Sequence, residues 1–319
     1  MKPALPYDPR FVENHLIAYI GNKRRLLPLI LKALAEVESR GSQKISRDGV
    51  FIDFFSGTGV VSRLAKSLGF SVIANDWEDY SRVLNRTFIE GSAEDLALFE
   101  NEGGLARVLE GLNALAAFNP EAAYVSEYYC PADDAKPDVE RERLFYTRQN
   151  GILIDNIRLA IEKRYAGSDL VSRKKKNLLL ALLLVEASTR ANTNGVFKGF
   201  HQGFGGLSHY ALSRILRPVA LAEPSLLPKT EKRHKVFKSD ALKLAKKLSG
   251  LEAEIAYLDP PYNQPQYGSN YHLLNTVARN DRPAVSKSFW IDGKKTDKSA
   301  IRKDWVKTRS AFCYKESAL

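Results

Sequence analysis

Cysteine is almost missing from this chain. Two residues, Cys130 and Cys313, stand far apart in 319 and lack the paired spacing of a zinc ligand set. That pattern excludes a disulfide framework and a structural metal, and predicts a reducing compartment. Long apolar runs are absent as well. The longest, Leu178 to Val185, is too short to span a bilayer, and Met1-Lys2-Pro3 opens onto polar residues instead of the apolar stretch of a secretory leader. A soluble, intracellular protein is expected. Acid is in deficit: 37 Asp and Glu face 48 Lys and Arg, a formal charge of +11, which favours an anionic partner such as nucleic acid. Otherwise the composition, 44% hydrophobic and 27% charged, is that of a globular protein long enough for one large domain or two smaller ones.

Two common nucleotide signatures also fail. In Val50-Phe51-Ile52-Asp53-Phe54-Phe55-Ser56-Gly57-Thr58-Gly59-Val60-Val61-Ser62 a dinucleotide fingerprint needs a third glycine where Ser62 stands, and a P-loop needs the absent Gly-Lys-Ser/Thr. What remains is an apolar strand, a tight glycine turn and a helix from Val60 to Leu68, the first half of a Rossmann-like unit. The glycines let backbone approach a ligand, and the helix amides are free to hydrogen-bond it. A second strand, Phe70 to Asn75, ends on Asp76-Trp77, so an acid stands at the neighbouring strand tip, near where a ribose lies in such folds. A nucleoside cofactor fits this spacing.

The chain is organised around Ala256-Tyr257-Leu258-Asp259-Pro260-Pro261-Tyr262. A short apolar strand ends on an acid and two prolines, which cannot continue a ladder. The fixed φ of both prolines lets the Asp259 carboxylate and the Pro260 carbonyl face one spot, a device for holding a planar amino group. Asp-Pro-Pro is also an ordinary turn after a strand. Lys235 to Asp240 reads as a further short strand ending on an acid, before a helix from Ala241 to Leu248. Asp76, Asp240 and Asp259 should therefore share one edge of one sheet.

Two other regions carry charge. Leu16 to Ile20 turns at Gly21-Asn22 into Lys23-Arg24-Arg25 and a helix running to Ala35, which places cations in a first helical turn against the dipole. A solvated face and a site for a carboxylate or phosphate both fit. From about Glu78 to Lys232 no strand is legible. Helical segments (Leu96 to Phe118, Asn150 to Tyr165, Lys174 to Thr189) alternate with polar loops, as in a helical insertion. Arg173-Lys174-Lys175-Lys176 precedes the apolar helix, where it is either a solvated helix start or a phosphate contact. Thr189 to Gly206 mixes aromatics, amides, cations and five glycines without period, which reads as a mobile surface loop meeting nucleic acid or as a glycine-rich connection.

Tyr19 to Lys23, Phe55-Ser56-Gly57-Thr58-Gly59, Asp76, Asp240 and Asp259-Pro260-Pro261-Tyr262, in that order, resemble the Dam-like (alpha-group) DNA adenine-N6 methyltransferases. The resemblance covers residues 14 to about 280, and Arg190 to Gly206 looks like that family's Arg-x-Asn-x-x-Gly-x-Phe element. It implies an α/β, Rossmann-like class I methyltransferase sheet formed by residues 1–78 and 233–319, with 79–232 as a helical insertion for target recognition. It implies S-adenosylmethionine as cofactor and double-stranded DNA as partner, in the cytoplasm of a prokaryote or a phage host, within a restriction-modification system. By resemblance, Gly57, Gly59, Asp53 and Phe55 line the cofactor, Asp76 binds its ribose, and Asp240 approaches its adenine. Gly21 and Lys23 hold its carboxylate, Tyr19 stands beside it, and Asp259 borders it. Asp259, Pro260, Pro261 and Tyr262 form the catalytic motif, while Lys174, Lys175, Lys176, Arg190, Asn192, Asn194, Phe197 and Lys198 are candidates for DNA contact.

The chemistry follows from the target atom. An exocyclic amino group is conjugated with its ring, so acceptors at Asp259 and Pro260 draw its lone pair toward the methyl donor, and Tyr262 can stack on an extruded base. Cytosine C5 methylation needs a cysteine after a proline, and neither Cys130 nor Cys313 stands so. Cytosine N4 and RNA adenine methylation stay open, as does a noncatalytic DNA-binding subunit. Four strands are legible, whereas the family's sheet has seven. Only Val285 to Ile291 is weakly strand-like after Tyr262, beside helices at Tyr271 to Ala278 and from Ile301. The expectation is a truncated or split enzyme, its final strands on a missing segment or a second polypeptide.

Overall fold

The computed structural model describes residues 6–40, 45–207, 209, 211–261, 267–285, 289–291, 294–296 and 312. In chain order the main elements are α1 (Leu27–Arg40), β1 (Val50–Asp53), α2 (Val60–Ser67), β2 (Ser71–Asp76), α3 (Asp79–Asn85) and α4 (Leu105–Asn113). The long helices α5 (Arg148–Arg164) and α6 (Leu170–Arg190) follow, then β3 (Lys235–Lys238), α7 (Ala241–Lys247), β4 (Ile255–Tyr257), α8 (His272–Arg279), β5 (Phe289–Ile291) and β6 (Lys294–Thr296). The chain divides into two compact units, one of residues 1–16, 21–97 and 224–261, the other of 17–20, 98–223 and 262–319.

The first unit is built on a parallel sheet in the order β3-β2-β1-β4. Its two inner strands are apolar because both faces are covered: Phe51, Ile52, Val72, Ile73 and Ala74 are all buried. Every strand runs the same way, with Asp53 opposite Ala74 and Tyr257, and Asp76 opposite Lys238. The acids expected to share an edge therefore do so by topology.

Helix α2 carries two buried cations one turn apart, and neither has a carboxylate partner within hydrogen-bond reach. The Arg63 guanidinium donates to the carbonyls of Asn14 at 2.8 Å and His15 at 3.2 Å and lies 3.6 Å over the Phe88 ring. Lys66 Nζ donates to the carbonyls of Phe88, Ile89 and Gly91, which closes the π-helical turn Arg86–Glu90 that follows α3. Burial pushes Arg63 down to about 9 and Lys66 to about 8. These side chains fasten the N-terminal arm and the end of α3 to the helix that follows the glycine turn.

The second unit is helical. α5 packs on α6, whose run Leu178 to Leu184 is buried on all sides, as a helix without a polar face must be. The basic run lies inside α6, whose N-cap is Asp169, and not before the helix as the sequence suggests. A single helix from Leu96 to Phe118 is likewise not found. A 3₁₀ stretch, Ala93–Glu102, stops at Gly103-Gly104, both at positive φ, before α4 begins. Asp155 of α5 accepts the backbone N–H groups of Tyr124, Val125 and Ser126, capping a short turn from a distance. α8 falls where the sequence placed a helix. Phe289–Ile291 is a strand, paired antiparallel with β6 in a separate hairpin. The helix expected from Ile301 lies outside the described residues. Among the described residues no helix is long and apolar enough to cross a membrane, and no cluster of His, Cys, Asp or Glu could hold a metal. Cys130 is free and buried.

Candidate active site

The glycine turn is shaped from the elements around it. Gly57 and Gly59 adopt φ of 50° and 80°, and a Cβ on Gly59 would stand 2.4 Å from Asn85 Oδ1. Only glycine fits there. From β2, the Asn75 carbonyl accepts the N–H of Ser56 at 2.8 Å and the Asp76 carboxylate accepts that of Gly57 at 2.7 Å. From α3, the Ser81 hydroxyl donates to the Gly57 carbonyl at 2.6 Å, and Asn85 Nδ2 donates to Ser56 Oγ and to the Ser81 carbonyl. Asn75 Nδ2 also donates to the carbonyls of Phe54 and Ser239, so one amide ties the ends of β1, β2 and β3 together. Sequence reasoning passed over Asn75, Ser81 and Asn85. Their signal was weak: a polar residue inside the apolar strand, and two at i,i+4 on a short helix.

The acids at this edge differ in environment. Asp53 is 1% exposed and accepts the Ser62 hydroxyl at 2.7 Å and the Phe55 N–H at 3.3 Å. Burial raises its pKa to about 7 against these hydrogen bonds, with Asp76 and Asp259 adding in the same direction. Asp76 is half-buried, and burial raises its pKa against the N–H groups of Glu78 and Gly57. Asp240, at the N-cap of α7, accepts the Lys243 N–H.

Asp259 follows β4 and forms an ion pair of 2.5 Å with Lys23, their side chains 28% and 15% exposed. Lys23 Nζ also donates to the carbonyl of Gly21, itself at φ 76°. The Asn22 side chain caps the short 3₁₀ turn Lys23–Leu26 by accepting the Arg24 N–H, so the cations sit in that turn rather than in α1. Lys23 alone of the basic triplet turns inward, while Arg24 and Arg25 are exposed. Pro260 and Pro261 continue from this acid; Tyr262 lies outside the described residues.

In the second unit, Tyr19 stacks on Tyr271 with ring centroids 5.0 Å apart and lies 5.3 Å from Tyr267. The Tyr271 hydroxyl accepts the Ile20 N–H at 2.7 Å. This aromatic set was not legible, because its members lie some 250 residues apart in the chain. Of the candidate DNA contacts, Asn194 and Lys198 are exposed. Lys175 pairs with Glu102 at 2.7 Å, Lys176 with Glu162 at 2.6 Å and Arg190 with Glu186 at 2.8 Å, while Lys174 is half-buried. Asn192 and Phe197 are buried, against the expectation of a loop that presents them. Phe197 stacks on Phe145, and Asn192 organises the loop from within: its Nδ2 donates to the carbonyls of Leu144, His201 and Gly203, and its Oδ1 accepts the Gly205 N–H.

Comparison with known proteins bears on what this arrangement does. The chain is 35% identical over 263 residues to the type II methyltransferase M.NlaIII of Neisseria lactamica, covering 82% of this chain and 69% of that one. It is 29% identical over 304 residues to the modification methylase StsI of Streptococcus sanguinis, spanning 94% of this chain but 40% of that relative's length. It is 29% identical over 262 residues to the type II methyltransferase M.CviAII of Paramecium bursaria Chlorella virus 1, 82% of this chain and 68% of the relative. No solved structure gives a significant match. The model of the D12 class N6 adenine-specific DNA methyltransferases matches residues 19–308, which takes in the glycine turn, every edge acid and the Asp259 motif, and the chain belongs to that family.

Proposed function

We propose that this protein is a site-specific modification methylase of the Dam-like motif order, which transfers the methyl group of S-adenosylmethionine to N6 of a target adenine in duplex DNA. Within a restriction-modification system it would act in the cytoplasm of a bacterium or a phage-infected host. The observation that carries the reading is the Lys23–Asp259 ion pair. It joins the first motif to the last and places both at the sheet edge that holds the glycine turn.

The residues present suit the cofactor. Asn85 Oδ1 is buried without a hydrogen-bond partner and faces the Cα of Gly59, so the turn keeps bare backbone where a nucleoside approaches. Asp76 offers a half-buried carboxylate for ribose hydroxyls, Asp240 stands after β3 for the adenine amino group, and Lys23 supplies a cation for the carboxylate. S-adenosylmethionine, when bound, supplies an electrophilic methyl group. Asp259 and the Pro260 carbonyl accept the N6 hydrogens of the target base and orient its lone pair. Asp259 stays ionised beside Lys23, and the pair fixes the carboxylate before the base arrives. Tyr262 stacks on the base outside the helix, offsetting part of an extrusion cost of roughly a few kcal/mol. Nucleoside mass spectrometry on DNA from an expressing host tests the reading. N6-methyladenine is the expected product; N4-methylcytosine, or methylation of RNA alone, would overturn it.

A further inference from the structure

The loop held by Asn192 presents one residue that no packing explains. Leu207 is 103% exposed, far beyond every other large apolar side chain among the described residues. Nothing suggests a slack tip, for the loop is pinned at several points. Asn192, itself fully buried, bonds His201, Gly203 and Gly205, and the Asn192 carbonyl accepts the His201 N–H at 3.1 Å. The His201 ring stands so close that a Cβ on Gly206 would meet it at 3.2 Å, and one on Gly205 would meet the Cβ of Leu212 at the same distance. Gly203, Gly205, Gly206 and His209 all take positive φ. An apolar side chain has thus been built outward on a stiff support.

The surroundings indicate what it meets. From Ala187 to Ala222 the sequence contains no Asp or Glu, although acids make up 37 of the 319 residues overall. The same stretch carries Arg190, Lys198, His201, His209, Arg214 and Arg217, and Lys198, His209 and Arg217 are exposed. A protein partner or a second copy covering an apolar tip has no need of an acid-free margin. A polyanion does, since every carboxylate near its phosphates costs binding. An apolar tip within a basic margin matches duplex DNA, whose apolar surface lies between stacked bases, where protein wedges enter.

We propose that Leu207 is a positioning residue that inserts into the base stack at the target site and occupies the space from which the adenine is extruded. The proposal rests on the adenine methyltransferase reading above. It divides the labour of this segment: Asn192 and Phe197 build the support, Lys198 and Arg217 hold phosphates, and Leu207 offsets the lost stacking that otherwise returns the base to the helix.

The test uses the full chain with two DNA duplexes carrying the methylated site, once mapped by modified-base sequencing. One is fully paired; in the other the target adenine faces an abasic position, so little stacking and pairing remain to be broken. Leu207→Ala should lower kcat/KM on the paired duplex by about 10- to 100-fold, the rate equivalent of the stacking it no longer replaces. On the abasic duplex it should come within about threefold of the wild type, and Leu207→Phe should keep activity on both. Fluorescence of 2-aminopurine at the target position should rise on binding of the wild type and far less on binding of Leu207→Ala. Equal loss on both duplexes, or loss on neither, would overturn the wedge while leaving the methyltransferase reading intact. Absence of methyl transfer by the wild type to either duplex would overturn that reading and the wedge with it. Because the side chain packs against nothing, the melting temperature should be unchanged in both variants, and a fall would assign Leu207 a structural role instead.

Discussion

Asp53 makes the cost of building this site measurable. Its carboxyl is 1% exposed, and its pKa is raised from 3.8 to about 7 by burial. In the unfolded chain it loses its proton near 3.8, while the native state holds the proton until about 7. Between those values the native state binds more protons than the unfolded one, so unfolding free energy falls as pH rises, by about 1.4 kcal/mol per unit. The window is 3.2 units wide, 7 minus 3.8, which gives an upper bound of about 4 kcal/mol withheld from stability at pH 8. Asp53→Asn keeps an acceptor for the Phe55 N–H and can donate to Ser62 Oγ, but has nothing to ionise. Relative to the wild type it should therefore gain up to about 3 kcal/mol between pH 5 and pH 8. Guanidinium denaturation of both proteins without ligand, from pH 5 to 8, measures the difference, and hydrogen exchange at the β1 amides reads the first unit by itself. A difference that stays flat across that range, or that shifts in the wild type's favour as pH rises, would mean that Asp53 is ionised in the native state and the argument from burial fails.

Four further outcomes are expected. Asp259→Asn should abolish methyl transfer while calorimetric binding of S-adenosylmethionine stays within a few-fold, because the carboxylate is assigned to the target amino group; loss of cofactor binding would make the acid structural. Lys23→Met should weaken cofactor binding by roughly tenfold or more, as removal of a charge-assisted contact predicts, and binding at wild-type strength would assign the lysine to Asp259 alone. Gly59→Ala, strained by φ of 80° and by Asn85 at 2.4 Å, should lose about 2–4 kcal/mol of stability and all cofactor affinity, as thermal melting and titration would show. Lys198→Ala should reduce the salt dependence of DNA binding by about one log unit of slope, whereas Lys175→Ala, removing a partner of Glu102, should leave the slope alone and lower the melting temperature; the reverse pattern would restore the basic run of α6 to the DNA surface.

What the sequence determined by itself is local. Strand, glycine turn and helix at Val50 to Ser67, an acid at the end of β2 and the Asp-Pro-Pro turn after β4 are each written in neighbouring residues, because apolar period, glycine and proline act within a few positions. Parallel order needed one inference more: strands separated by helices pair in parallel, and so their terminal acids reach one edge. Sequence also marked Arg190 to Gly206 as unusual, but it misjudged which way the residues face. Asn192 and Phe197 have the composition of contact residues, and only packing against Phe145 and the carbonyls of Leu144, His201 and Gly203 turns them inward. Lys175 and Lys176 look like a cationic run until Glu102 and Glu162 arrive from elsewhere in the chain to neutralise them. The Lys23–Asp259 pair, the amide of Asn75 across three strand ends and the stack of Tyr19 on Tyr271 belong wholly to tertiary structure. They join positions tens to hundreds of residues apart, and no local pattern encodes a meeting that depends on the whole chain having closed.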